Sequence, residues 1–188
     1  MWIIAAFKKF EGKFFVSCND AANHYIGGVV IMLVRVVNQT WTLAVDRGGY
    51  DGKYIDPKFT EADLPLFPVP VDNQTVKIDL CRQNYGMLTQ NCATTTQAWL
   101  NVLDYGKKSG KKFAHPLVVL IIGSGENTKD EQLLAPIFTI WKSPHSGLLW
   151  CLFLSGDIGY RGSRFLFVCR VSLNSSWSAF YRAAAVAK

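Results

Sequence analysis

Apolar residues occur along this chain in short runs that are separated by Gly, Pro or Asn. The three strongest runs are Val29–Val34, Leu117–Ile122 and Leu148–Leu154. Each is far shorter than the roughly 20 residues that a membrane-spanning helix needs. Short apolar runs between turn residues are typical of buried strands. The pattern therefore predicts a β-rich protein with no segment that crosses a membrane.

β-Branched and aromatic residues dominate these runs, which favours strands over helices. Glu11-Gly12 is a two-residue link suited to a hairpin, and Asn38-Gln39 suits a second one. The predicted strands are, in chain order, Trp2–Phe10, Lys13–Cys18, Gly28–Val37, Thr40–Asp46, Asn73–Cys81, Phe113–Ile122, Ile137–Lys142, Leu148–Leu154 and Arg164–Leu173.

Two helices interrupt this series of strands. Thr95–Tyr105 begins with residues that cap helices, and its apolar residues share one face. Ser175–Ala187 begins with a Ser cap and continues into an alanine-rich stretch, which favours a C-terminal helix. A short turn of helix is also predicted at Lys129–Leu134. The segment at 47–72 holds four of the seven prolines, so we expect an irregular excursion with at most edge-strand character.

These elements predict a single mainly β domain over residues 1–188, with two short helices and the Pro/Gly-rich excursion at 47–72. A series of strands with few helices favours an antiparallel barrel or sandwich, and we favour an OB-like barrel. This expectation comes from the number of strands.

Charge is distributed unevenly along the chain. Residues 1–94 hold nine Lys or Arg against nine Asp or Glu, whereas residues 95–188 hold eleven against five. The formal net charge of +6 therefore comes entirely from the second half. Cationic residues beside aromatic ones on strands are what a groove for single-stranded nucleic acid needs.

Three stretches supply the basic residues for such a groove, and the first and last of them also carry aromatic residues. They are the glycine-rich loop at 156–164, the lysine cluster at 107–112 and the N-terminal hairpin. In each case the alternative is structural, because loop cations are usually solvated and strand aromatics usually belong to the core. The predicted binding residues are Lys8, Lys9, Lys13, Lys107, Lys108, Lys111, Lys112, Trp141, Lys142, Tyr160, Arg161, Arg164 and Arg170.

No motif in the sequence identifies a reaction, a cofactor or a metal. We therefore expect a non-catalytic protein that binds single-stranded DNA or RNA. One alternative is a protein-interaction or assembly subunit, such as a complex component or a viral structural or inhibitor protein, because aromatic residues are enriched at contact surfaces. The second is a metal-dependent nuclease built on Asp46, Asp51 and Asp56, because converging carboxylates can hold a divalent cation.

The five cysteines form no Cys-x-x-Cys pair. An odd number of cysteines without a recognisable export signal favours reduced thiols and a cytoplasmic location.

Overall fold

The computed structural model describes residues 30–35, 39–66, 75–81, 94–103, 110–125, 131–157, 162–178 and 180–188. The strands of this part of the chain are β1 (Val30–Arg35), β2 (Gly52–Ile55), β3 (Thr75–Cys81), β4 (Thr94–Thr95), β5 (Lys111–Phe113), β6 (Ile137–Lys142), β7 (Leu149–Asp157), β8 (Ser163–Arg170), β9 (Ser176–Trp177) and β10 (Arg182–Ala187). Its helices are α1 (Trp41–Arg47), α2 (Thr96–Leu103), α3 (Pro116–Ser124) and α4 (Glu131–Leu134), with a 3₁₀ turn at Glu61–Asp63.

Eight of these strands form one sheet in the order β1-β3-β10-β6-β7-β8-β2, and β5 pairs with β10 beside this path. Strands β4 and β9 form a separate two-stranded ladder. Two pairings in the large sheet are parallel, β10 with β6 and β2 with β8. The remaining pairings are antiparallel.

The two sides of the large sheet carry separate hydrophobic cores. Helices α1 and α3 pack on one side with Leu152, Leu154 and Val168, and we call this side the α1/α3 face. Helix α2 packs on the other side with Phe138 and Cys151, and we call it the α2 face. Alternate residues of a strand point to opposite sides, so each central strand contributes to both cores.

The fold is thus mainly β, as the sequence predicts, and its main sheet is mixed. The expectation of a purely antiparallel arrangement is wrong for the two parallel pairings. The pairings among the described residues do not close the sheet into a barrel, so the OB-like barrel stays a prediction.

Several predicted elements are confirmed. The strands predicted at Ile137–Lys142, Leu148–Leu154 and Arg164–Leu173 correspond to β6, β7 and β8. Helix α2 lies within the predicted Thr95–Tyr105, and α4 within the predicted Lys129–Leu134. The edge character expected within 47–72 agrees with the position of β2, which ends the strand order of the described residues.

The prediction of a strand at Thr40–Asp46 is wrong, because residues 41–47 form α1. The Thr40 side chain accepts a hydrogen bond from Leu43 N–H and so caps the first turn. Trp41, Ala44 and Val45 are buried at helical spacing on one face. The hairpin expected around Asn38-Gln39 therefore does not form.

The predicted strand Phe113–Ile122 is wrong beyond its first residue, because α3 begins at Pro116. Pro suits the first position of a helix, where no N–H is needed. His115 Nδ1 accepts a hydrogen bond from Leu117 N–H at 3.2 Å and caps this helix. Residues 118–123 are all buried, so the helix has no polar face, and its apolar run resembles that of a buried strand.

The predicted C-terminal helix is wrong, because β9 and β10 occupy its place. Ala183, Ala184 and Ala185 are fully buried between β3 and the strands β5 and β6. Small side chains allow both cores to pack closely against this central strand. Tertiary packing here overrides the helix propensity of alanine.

The segment at 47–66 is fastened to the sheet by aromatic packing. The Phe59 ring lies 5.0 Å from the ring of Trp41, 5.2 Å from Trp150 and 6.3 Å from Trp141. Aromatic contacts of this kind add to the hydrophobic gain of burial. The prolines of this segment therefore exclude it from the centre of the sheet, but they do not exclude its side chains from the hydrophobic core.

A buried carboxylate makes a second attachment of this segment. Asp63 Oδ1 accepts hydrogen bonds from the hydroxyls of Ser143 at 2.6 Å and Ser146 at 2.7 Å, in the β6–β7 turn. Its Oδ2 accepts from the N–H and the hydroxyl of Thr60, both at 3.1 Å. Burial raises the pKa of this carboxyl, but the four hydrogen bonds outweigh it and lower the pKa to about 2.

His115 makes a third attachment. Its Nε2 lies 2.9 Å from Pro65 O, while Nδ1 accepts from Leu117 N–H, so the neutral ring carries its proton on Nε2. Burial lowers the pKa of His115 to about 4, although the bond to Pro65 acts in the opposite direction. His115 therefore has a structural role, as the cap of α3 and as a contact with Pro65.

Candidate functional site

Arg164 makes hydrogen bonds within the protein. Its guanidinium donates to Gly123 O at 2.9 Å and to Gly49 O at 3.0 Å, and it lies over the Tyr50 ring at 5.9 Å from the centroid. Gly49 has a φ of +54°, which a glycine adopts at low cost. Arg164 thus joins β8 to the C-terminal end of α3 and to the loop before β2, and its Nη1 and Nη2 groups each already donate to a backbone carbonyl.

Arg170 and Lys111 each have an acidic partner. Arg170 Nε lies 3.2 Å from Asp56 Oδ2. The hydrogen bond from Lys58 N–H lowers the pKa of Asp56 most, and Arg170 lowers it further. Lys111 forms an ion pair with the buried Asp79 on β3. A phosphate bound to either cation would lie close to the carboxylate that is paired with it. Arg170 and Lys111 are therefore weaker candidates for binding phosphate than an unpaired lysine.

Lys112 and Lys142 are exposed, and the four ion pairs among the described residues involve neither of them. Strand register places both at the end of the sheet where β6 ends. Lys142 and Lys111 lie on the α2 face, whereas Lys112 lies on the α1/α3 face with Arg170. Arg164 is at the opposite end of β8. The predicted cations therefore do not all converge on one surface.

The sequence did not single out Lys77, which strengthens the group on the α2 face. This exposed lysine lies on β3 opposite Leu33, two residues before Asp79 on the same side of the strand. The register of β3, β10 and β5 places it at the same end of the sheet as Lys111. We refer to Lys77, Lys142 and the ion-paired Lys111 as the basic end, in which Lys77 and Lys142 are the stronger candidates for binding phosphate.

Trp141 does not provide a stacking surface. It is only 6% exposed, and its indole N–H donates to Asp63 O at 2.8 Å. Its ring packs edge-on against Phe59 in the α1/α3 core. The Trp141 ring thus belongs to the core, as the structural alternative expects, and the described geometry gives its predicted contact with bases no support.

A different set of rings is accessible, on the α2 face. Phe153 on β7, Phe167 on β8 and Tyr54 on β2 are register partners and form a row across three strands. The row continues inward to Phe138 on β6, which is fully buried. Exposure rises outward along it, with Phe153 and Phe167 half-buried and Tyr54 53% exposed.

Two more half-buried rings extend this row. The Tyr181 ring lies 5.0 Å from that of Phe153, and the Phe165 ring lies 6.5 Å from that of Phe167. Phe165 packs across Gly52, where an added Cβ would lie only 2.6 Å from its ring. Glycine at 52 thus allows the Phe165 ring to lie over β2. We call Tyr54, Phe153, Phe165, Phe167 and Tyr181 the aromatic face.

This face forms because α2 covers only part of its side of the sheet. Helix α2 and Trp177 pack over Phe138, whose ring stacks on Trp177 at 4.4 Å between centroids. Toward β7, β8 and β2 the rings are less covered. The alternation of Phe165, Phe167 and Cys169 along β8 signals one shared side, but the sequence does not show whether a helix covers that side.

The carboxylates of the nuclease alternative bind separate partners. Asp46 lies 3.6 Å from Lys53 Nζ, Asp51 accepts from Arg164 N–H at 2.8 Å, and Asp56 pairs with Arg170. Within the described residues, no group of three or more His, Cys, Asp or Glu side chains is placed to hold a metal ion. The described geometry therefore gives this alternative no support.

The remaining predicted residues lie outside the part of the chain that the structure describes. They are Lys8, Lys9, Lys13, Lys107, Lys108, Tyr160 and Arg161. Their proposed roles stay predictions.

Comparison with known proteins assigns no family to this chain. No protein-family model matches it, and neither curated proteins nor solved structures give a significant match. In the described ranges, no helix is both long and apolar enough to cross a membrane.

Proposed function

We propose that this chain binds single-stranded nucleic acid without catalysing a reaction, with bases on the aromatic face and phosphates at the basic end. The row of register partners Phe153, Phe167 and Tyr54, two half-buried rings and one exposed ring, carries this proposal. Rings on a partly covered sheet face offer bases a stacking surface, and stacking contributes about 1–3 kcal/mol per base.

Charge supports the same occupant. Lys142 lies on the same side of the sheet as the rings, four residues along β6 from Phe138, which is roughly 13 Å along a strand. Lys77 and Lys111 lie at that same end. A strand of nucleic acid that stacks on the rings thus has cations within reach of its backbone. A double helix buries its bases and cannot stack on the rings.

The central experiment is fluorescence anisotropy with short labelled DNA and RNA oligonucleotides, single-stranded and duplex, across a range of salt concentrations. We expect single strands to bind more tightly than duplexes, with affinity falling as salt increases. Tyr54→Ala should weaken binding roughly 5- to 150-fold, which corresponds to about 1–3 kcal/mol. Leu66→Ala, which removes another highly exposed apolar side chain, is its control.

A charge-matched comparison tests the basic end. Lys142→Gln and Lys77→Gln should each reduce the slope of log affinity against log salt by about 0.7–0.9. Lys53→Gln removes the same charge from the α1/α3 side of β2 and should leave the slope unchanged. No binding of any oligonucleotide at low salt, or equal effects of the three variants, would refute the proposal.

The second candidate is a protein-interaction subunit, and the position of Tyr54 favours it. This exposed ring lies on β2, the last strand of the sheet that the described residues form, and a partner chain can approach it there. A protein partner would then cover the aromatic face. Size-exclusion chromatography with light scattering separates the candidates, because a stable oligomer that Tyr54→Ala dissociates supports only the second.

The finer predictions of the fold and location are independent of this proposal. The OB-like barrel stays a prediction, and the aromatic face is defined by the register of β2, β7 and β8. A cytoplasmic location stays a prediction.

A further inference from the structure

Two cysteines face each other on neighbouring central strands. Cys151 on β7 and Cys169 on β8 are direct register partners on the α2 face, and both thiols are reduced. Cys151 is buried, whereas Cys169 is partly exposed. The next pair in register on this side is Phe153 and Phe167 of the aromatic face.

The hydrogen bonding around this pair defines its geometry. Val171 N–H donates to Leu149 O at 3.0 Å, which makes Leu149 and Val171 a hydrogen-bonded pair. Because pair types alternate along an antiparallel ladder, Cys151 and Cys169, two residues on, are also a hydrogen-bonded pair. Cα atoms in such a pair lie about 5.5 Å apart, within the range of about 4.4–6.8 Å that a disulfide spans.

The Cβ atoms are less well placed. Opposite Cβ atoms in a ladder lie about 4.5–5.5 Å apart, whereas a disulfide holds them near 3.8 Å. The shorter separations belong to non-hydrogen-bonded pairs, so the two strands must draw together locally by roughly 1.5 Å when this bond forms. A disulfide made under such strain is easily reduced, unlike one that serves only to stabilise a fold.

We propose that Cys151 and Cys169 are a redox modification site. A reversible cross-strand disulfide forms between them when they react with a small disulfide such as oxidised glutathione. The Cys169 thiolate attacks oxidised glutathione, forms a mixed disulfide and releases one glutathione thiolate. The Cys151 thiolate then attacks the Cys169 sulfur and releases the second. The protein loses two protons and two electrons, and one oxidised glutathione becomes two reduced glutathiones.

Burial determines which cysteine reacts first. It raises the pKa of both thiols, and the charge of Asp56 raises that of Cys169 further. Of the two residues, Cys169 is partly exposed and Cys151 is buried, so a small disulfide reaches Cys169 first. The reaction is therefore slow at neutral pH, accelerates as pH rises, and begins at Cys169.

The test uses a full-length variant that keeps only this pair, with Cys18, Cys81 and Cys92 replaced by Ser. The folded protein is incubated with oxidised glutathione, quenched with acid, unfolded, alkylated and digested with trypsin. Cleavage after Lys142, Arg161, Arg164 and Arg170 places the two cysteines in separate peptides, 143–161 and 165–170. A disulfide between them therefore appears as a linked pair of peptides, which dithiothreitol separates.

Two single variants of this background distinguish the steps. With Cys151→Ser, we expect oxidation to stop at a glutathione adduct on Cys169; with Cys169→Ser, we expect no reaction at Cys151. With both cysteines present, the linked peptides should form and the adduct should not accumulate. Two fully alkylated thiols after prolonged exposure, or a persistent adduct in the pair variant, would overturn the proposal.

The same peptides can be followed in the unchanged chain. This second measurement keeps the test decisive if the three serines impair folding. Neither measurement involves nucleic acid, so the outcome is independent of the proposed function.

Discussion

The two sides of the central sheet use aromatic residues in opposite ways. On the α1/α3 face, Trp41, Trp141 and Trp150 surround Phe59 and are sealed by helices and by the segment at 47–66. On the α2 face, a comparable number of rings lies on β2, β7 and β8 with only partial cover. The strand pattern places rings on both sides, and the packed helices decide which rings a ligand can reach.

The largest expected contrast between the sides is in stability. Trp141→Ala should lower the free energy of unfolding by about 3–5 kcal/mol, because it opens a cavity and removes a buried indole. Tyr54→Ala should change it by no more than about 0.5 kcal/mol, since the side chain is mostly exposed. Urea denaturation of both variants measures this, and equal losses would contradict the assignment of the two sides.

The buried carboxylate of the α1/α3 side gives the next largest effect. Asp63→Asn should cost about 1–3 kcal/mol, because the four hydrogen bonds at this carboxylate are lost or weakened. The native pKa of about 2 lies below the unfolded value near 3.8, so this stabilisation is present above about pH 4 and lost toward pH 2. In the variant, urea midpoints measured from pH 5 to 2 should fall less steeply. A slope equal to that of the unchanged protein would contradict this role.

His115 gives a smaller effect in a different pH window. Its native pKa of about 4 lies below the unfolded value of 6.5, so the unfolded chain takes up the proton first. Its contribution is therefore complete above about pH 6.5 and decreases as the pH falls toward 4. His115→Gln should cost about 1 kcal/mol through the helix cap and should flatten the pH profile in this window. If the stability of the variant falls as steeply between pH 6.5 and 4 as that of the unchanged protein, groups other than His115 cause the slope.

The sequence predicted the elements whose local pattern is unambiguous. Strands β6, β7 and β8 and helix α2 have clear periodicity and turn residues at their ends. It did not predict α3 or β10, because a helix buried on all sides has no polar face and because packing overrides alanine's helix propensity. For both elements the deciding contacts come from residues far away in the chain.

The site was predictable only as a chemical class. The excess of cations in the second half is visible in the sequence, but Trp141 is a core residue and Arg164 donates hydrogen bonds within the protein. Tyr54 and Lys77 belong to segments that showed no such signal. Whether a ring is exposed depends on which helix covers the sheet, and neither residue spacing nor charge records this.

The most direct test of the account is photo-cross-linking of a single-stranded oligonucleotide that carries photoreactive pyrimidines, followed by peptide mapping. We predict cross-links on β2 and β8, at Tyr54 and at Phe165 or Phe167, that competition with unlabelled single strands removes. Cross-links confined to residues of the α1/α3 side, or none under conditions where the oligonucleotide binds, would contradict the claim that the aromatic face holds the bases.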